Sequence, residues 1–283
     1  MPEHSPTLRR RELAGRLRDL RKRAGLTVDE VAAQLLCSPP KISRIETATR
    51  PASLRDVRDL CDLYRVDDAE RSRLMDLARE AKQQGWWQKF DDLAIESLIG
   101  LEIEAKKITS YESSVVPWAF QTEEYARAVI KDSGLHIEDR IVDERVSVRM
   151  TRQELLRSPA APNMWFLIDE AALRRVVGGN RVMRDQMAKI IEVSASSHVD
   201  VQVVPFKAGA HPGVDNTFTL LELDKSFLPP VVFVENLAGM FYLERDTDIQ
   251  RYREVIDYLK ACALSPVDSI EAIKEARKTF GSV

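Results

Sequence analysis

Residues 27–46, TVDEVAAQLLCSPPKISRIE, read as two short helices joined by a tight turn. Thr27 opens the first as a capping box, with its hydroxyl free to take a first-turn N–H and Glu30 three residues on to reach back. Val31, Ala32, Leu35 and Leu36 recur at helical spacing and predict one apolar face, which Cys37 continues into the turn. Ser38 is placed as the N-cap of the second helix, and Pro39 suits its first position, where no N–H is needed. Ile42 and Ile45 point inward together, leaving Lys41, Ser43 and Arg44 outward. Two helices with a polar outer face on the second form a DNA-reading unit.

The surroundings of this stretch are basic. Over residues 9–50, eleven Lys and Arg stand against five Asp and Glu, a net of +6 on a chain whose whole charge is −3. Residues 1–85 hold 18 Lys+Arg and 14 Asp+Glu, net +4, so the remainder carries −7. A locally basic surface of this kind suits a polyanion. Arg44 can offer a fork to guanine, Lys41 a point charge to a base edge or phosphate, and Pro40 an apolar contact to a thymine methyl. Arg50, in the loop that follows, is placed for a backbone phosphate.

The run ELAGRLRDLRKRAGLTVDEVAAQLLCSPPKISRIETATRPASLRDVRDLCDLY resembles the helix-turn-helix domain of the phage-repressor-like, xenobiotic-response-element type regulators. The resemblance implies that the second helix lies in the major groove. It assigns DNA contact to Ser38, Pro39, Pro40, Lys41, Ser43 and Arg44, and a structural pair to Arg21 and Glu46. Two departures stand out. Val28 occupies a place where that family often has a phosphate-binding Gln, and Pro39 and Pro40 replace side chains able to hydrogen-bond to bases. Weight therefore shifts to Lys41 and Arg44.

The 283 residues suffice for two domains. Residues 1–84 are expected to form a five-helix DNA-binding domain, closed by Ser53- and Asp67-capped helices. Residues 85–283 are expected to form an α+β domain for regulation, partner binding and dimerisation. No apolar run is long enough for a membrane helix, and the N-terminus has no apolar core of a secretory signal, so a cytoplasmic place is expected. Cys37, Cys61 and Cys262 are scattered, with no CxxC or HExxH, and neither metal nor cofactor is expected.

Gln83-Gln84-Gly85 breaks the helical pattern, and Trp86-Trp87 reads as a plug between domains. A long helix is expected over 89–110, an extended segment at Val115–Thr122, and helices at Glu123–Lys131 and Asp139–Arg157. Asn180 is placed to cap another helix. Strands are expected at Met164–Ile168, Val199–Val203, Phe218–Leu223, Val231–Glu235 and Met240–Leu243, in a mainly antiparallel sheet. The stretches VPWAFQTEEYARAVI, RQELLRSP, FLIDEAALRRVVGGNRVMRDQM and VQVVPFKAGAHPGVDNTFTLLEL resemble the C-terminal domain of actinobacterial WhiJ-like regulators. That resemblance implies a transcription factor, with a small partner protein encoded nearby in an antitoxin-like arrangement. Trp118 stands where that group usually has a glycine.

Trp118, His211, Asp215 and Glu235 are the candidate ligand or partner residues of this half. His211 lies in a Gly- and Pro-flanked loop, and Glu235 ends an apolar strand. No nucleophile elbow, phosphate loop or metal motif supports catalysis, so an enzyme is not expected. The expected function is a sequence-specific, dimeric DNA-binding regulator. An antitoxin-like protein that sequesters a partner is the alternative, and a DNA-tethered enzyme a remote third.

Overall fold

A computed structural model describes residues 6–82, 93–134, 137–223, 229–237 and 239–281. Trp86 and Trp87, expected to plug the seam between domains, lie outside them. The chain packs as two compact units, Met1–Glu104 with Leu223–Pro229, and Ala105–Glu222 with Pro230–Val283.

The first unit is helical: α1 Pro6–Arg23, α2 Val28–Gln34, α3 Pro39–Glu46, α4 Leu54–Leu63, α5 Asp68–Glu80 and α6 Leu93–Ile103. Its starts are locally encoded. Thr27 and Glu30 close a reciprocal capping box, Ser53 and Asp56 another, and Asp67 accepts the N–H of Glu70 at 2.8 Å. Leu13, Leu17, Val31, Ile42, Ile45, Val57, Leu60 and Leu74 form its core. Leu36 does not join them. It sits at φ 50° and is 94 % exposed. Helix α2 ends in a left-handed turn in which the Cys37 N–H reaches the Ala32 carbonyl (2.9 Å), and Leu36 occupies the position that glycine favours. Gly25 (φ 71°) fills the matching place after α1.

The second unit holds a six-stranded sheet in the order β3-β2-β1-β4-β5-β6, with β1 Ala105–Glu112, β2 Asn163–Asp169, β3 Val199–Val204, β4 Phe218–Leu223, β5 Val231–Asn236 and β6 Gly239–Leu243. The helix expected over 89–110 stops at Ile103, and residues 105–112 are strand β1 instead. Ile108, Thr109, Ser110 and Tyr111 are buried in succession, as a strand inside a covered sheet requires, so no alternation advertises it. The sheet is mixed. Strands β1, β2 and β3 are parallel, joined by α7 Glu123–Ser133 and α8 Asp139–Arg152, then by α9 Glu170–Arg174 and α10 Asn180–Val193. Strands β4, β5 and β6 are antiparallel. Contacts stepping Lys107–Glu222, Ser110–Thr219 and Ser113–Thr217 run β1 and β4 in opposite directions. The expected antiparallel pairing thus holds along the spatial run β1-β4-β5-β6 and fails along β1-β2-β3, which is parallel.

Helix α11, Asp246–Cys262, covers one face through Ile249, Ile256 and Leu259, which pack on Tyr111, Leu167, Phe218 and Val232. On the other face the Phe120 ring meets Phe166 edge-on, with centroids 4.7 Å apart. The outer edge of β3 is closed: Val203 donates to the Ser269 hydroxyl of α12 Pro266–Thr279 and accepts from the Leu264 N–H. Gly179, at φ 88°, occupies the cap of α10, and Asn180 is the first helical residue rather than the cap.

Candidate functional site

Helix α3 presents a sharply divided surface. Ile42 and Ile45 are buried, whereas Pro39, Pro40, Ser43 and Arg44 are exposed and Lys41 is half-buried. Ser38 stands at the N-cap without a side-chain cap bond. The far end is held by Arg21. Its Nε and Nη2 donate to the two Glu46 carboxylate oxygens at 2.7 and 3.0 Å, and Nη1 donates to the Leu26 carbonyl at 2.7 Å. The hydrogen bond to Glu46 raises the Arg21 pKa above its usual value. This bidentate clamp ties α3 to the end of α1 and fixes the pose of the outer face. Beside it, burial followed by the Glu46 charge pushes the Tyr64 phenol up.

Lys41 is engaged within the unit. Its ammonium lies 2.5 Å from Asp56, the carboxylate that also caps α4. Burial alone would raise the Asp56 carboxyl, but Lys41 and the Ser53 hydroxyl and N–H outweigh it and hold it below the usual range. The basic residues of the sequence therefore divide. Arg9 pairs with Glu12 and Glu80, Arg16 with Glu12 and Glu70, Arg21 with Glu46, and Lys41 with Asp56. Arg18, Lys22, Arg23, Arg44 and Arg50 are exposed. Arg50 follows α3 closely, its N–H donating to the Arg44 carbonyl at 3.0 Å.

In the second unit the four candidate residues fall in different surroundings. His211 is buried, with its Nε2 3.5 Å from Asp169 and its ring edge-on to Tyr111; the Tyr111 hydroxyl donates to the same carboxylate at 3.2 Å. Asp169 also caps α9 by accepting the Ala171 N–H at 2.8 Å. Asp215 is exposed on the same loop as His211. A cavity of about 280 Å³ opens beside that loop, lined by Pro212, Asn216, Phe218, Leu243, Tyr252 and Val255 among others.

Trp118 and Glu235 belong to a second cluster, built on residues that sequence reasoning missed: Glu112 at the end of β1, and Arg149 and Arg152 at the end of α8. The Arg152 guanidinium lies 4.0 Å over the Trp118 ring. Burial, reinforced by Glu235, pushes the Glu112 carboxyl up to about 7, with the Ser110 hydroxyl and the two arginines opposing it. Burial, reinforced by Arg152, pushes Arg149 down to about 10. The VPWAFQT departure and the Arg149/Arg152 pair at helical spacing were the available signals, but neither reveals that β1 ends between them.

Two known family models match separate stretches of the chain. Residues 12–74 match a family model described as a helix-turn-helix domain, which supports a DNA-binding transcriptional regulator. No curated protein and no solved structure matches the chain. Residues 95–275, well over half of the chain, match the model described as Domain of unknown function (DUF5753), and the chain belongs to that family.

Proposed function

We propose that this protein is a sequence-specific transcriptional regulator of the phage-repressor-like type, acting as a homodimer and controlled through its second unit. The observation that carries the reading is the outward face of α3, where Arg44 stands exposed on a helix clamped from behind by Arg21 and Glu46. A rigid helix with one exposed guanidinium suits bidentate readout of guanine. Arg18, Lys22, Arg23 and Arg50 supply phosphate contacts, and Ser38, Pro39, Pro40 and Ser43 line the groove side. Lys41 is a lesser reader than Arg44, because reaching DNA would require it to leave Asp56.

Two copies would present two α3 helices to half-sites about one helical turn apart. The second unit would receive a WhiJ-like signal, whether a ligand or a small protein, which acts only by binding the DNA-competent and incompetent states unequally. No catalysis is assigned to it: His211 lies beside Asp169 and edge-on to Tyr111. The test is binding of the full-length protein to DNA from upstream of its own gene, against scrambled DNA, over a salt series. A palindromic site preferred by about a thousandfold, with steep salt dependence, is expected. Weak binding without preference would sink the reading.

A further inference from the structure

We propose that the carboxyl end of β1 is an effector site for a small organic carboxylate, with Arg149 as the residue that takes the anion. For its regulatory meaning, though not for binding itself, this rests on the function proposed above. The position comes from topology. At β1 the sheet changes direction: β2 and β3 are laid down to one side as parallel strands, and β4 to β6 to the other. Ligands of open α/β sheets bind outside the carboxyl ends of strands at such a switch. Glu112 ends β1 there, Trp118 follows in the next turn, and Glu235 ends β5.

Arg149 is the chemical argument. It is half-buried, yet its hydrogen bond among the described residues goes to a neutral acceptor, Gln121 Oε1, at 2.8 Å. No carboxylate of the described residues lies within ion-pair distance of it, although Arg9, Arg16 and Arg21 each have one. A guanidinium withdrawn from water without a counter-ion costs stability. A bound anion would restore that balance and would relieve the repulsion between Arg149 and Arg152 that helps push the Arg149 pKa down.

The surroundings are built to hold Arg149 still. Gln121 donates to the Val116 carbonyl at 2.6 Å. Gln153 donates to the Trp118 and Gln121 carbonyls at 2.8 and 2.7 Å. Gln186 donates to the Phe120 carbonyl at 2.7 Å and accepts the Thr122 N–H at 2.9 Å. Three glutamines thus fix the turn that carries both Trp118 and the Arg149 acceptor, as a preorganised site requires. Arg149 offers a planar fork for a carboxylate, the Trp118 ring offers an apolar wall, and Glu112 and Glu235 favour a ligand with a hydrogen-bond donor at its other end.

The probe is benzoate, with neutral benzamide as control, added to the full-length protein at constant ionic strength and followed by calorimetry and thermal melting. We expect benzoate to bind in the millimolar range, about the strength of a one-anchor fragment, and to raise the Tm, whereas benzamide does neither. Arg149→Met should weaken benzoate binding at least about tenfold while melting no lower than wild type without ligand. Gln121→Ala, which frees the guanidinium but keeps its charge, should weaken it several-fold. Equal benzoate binding by wild type and Arg149→Met would overturn the proposal. So would no benzoate binding by wild type at about 50 mM, or an Arg149→Met chain that fails to fold, since Arg149 would then be a structural prop. These readouts contain no DNA, so their failure leaves the salt-series result for DNA binding untouched.

Discussion

Arg21 and Arg149 are both partly buried guanidinium groups, and the two units house them in opposite ways. Arg21 has three hydrogen bonds, two of them to the Glu46 carboxylate, and it joins two helices. Arg149 has a neutral amide for its partner and two carboxyls near enough to be felt but not paired. The first unit gives Arg9, Arg16 and Arg21 carboxylate partners and leaves Arg18, Lys22, Arg23, Arg44 and Arg50 exposed. The second leaves a charge imbalance inside. The difference separates an arginine that builds a surface from one that waits for something to bind.

The sharpest way to break this comparison is Arg21→Ala. It leaves Glu46, 6 % exposed, without its cation, and the first unit should lose about 3–5 kcal/mol in a urea melt of the full chain. The double change Arg21→Met with Glu46→Leu should recover most of that loss, because no lone charge remains. A loss under about 1 kcal/mol for Arg21→Ala would mean that the clamp is ornamental.

Glu112 tests the second unit through pH. Its carboxyl is raised from 4.5 to about 7, so the folded state holds a proton that the unfolded chain has released. Its contribution is present in full below pH 4.5 and is lost as pH rises through about 7. Between pH 5 and 8, wild type should therefore lose about 1–3 kcal/mol more than Glu112→Gln. Parallel stability curves for the two would place Glu112 in water. Asp56 has the opposite sign: its lowered pKa adds stability above its unfolded value of 3.8 that is lost in acid, a separate window.

Smaller effects probe the local frame. Thr27→Ala removes the α2 capping box and should cost about 1 kcal/mol of thermal stability. Leu36→Gly should instead stabilise by about 0.5–1 kcal/mol, since a left-handed leucine is relieved and no buried contact is lost. A destabilised Leu36→Gly protein would show that this exposed side chain packs in solution.

These local features explain what could be read from the sequence. Thr27 with Glu30, Ser53, and Gly25 each declare a helix end locally, so the helix ends of the first unit were legible, although Leu36, expected on the apolar face, is exposed. The Arg21–Glu46 pair came through family resemblance. Partners far apart in the chain were not legible: Arg9 with Glu80, Arg16 with Glu70, and Lys41 with Asp56 looked like free surface charge until the helices closed on them. Strand β1 was hidden because both of its faces are covered and it follows a helix directly. The Trp118–Glu235 group was half visible. Its centre, Glu112 and Arg149, comes together only when β1, α8 and β5 end at one edge, which no periodicity reports.

Arg44 on α3 is proposed to read DNA, while Lys41 is held by Asp56. Selection of binding sites from randomised duplexes, with wild type, Arg44→Ala and Lys41→Ala side by side, tests it most directly. The account predicts a guanine enriched at a fixed position by wild type and by Lys41→Ala. Arg44→Ala should lose it, with about 1–3 kcal/mol of discrimination gone at that base. An unchanged motif for Arg44→Ala, or a motif lost with Lys41→Ala instead, would contradict it.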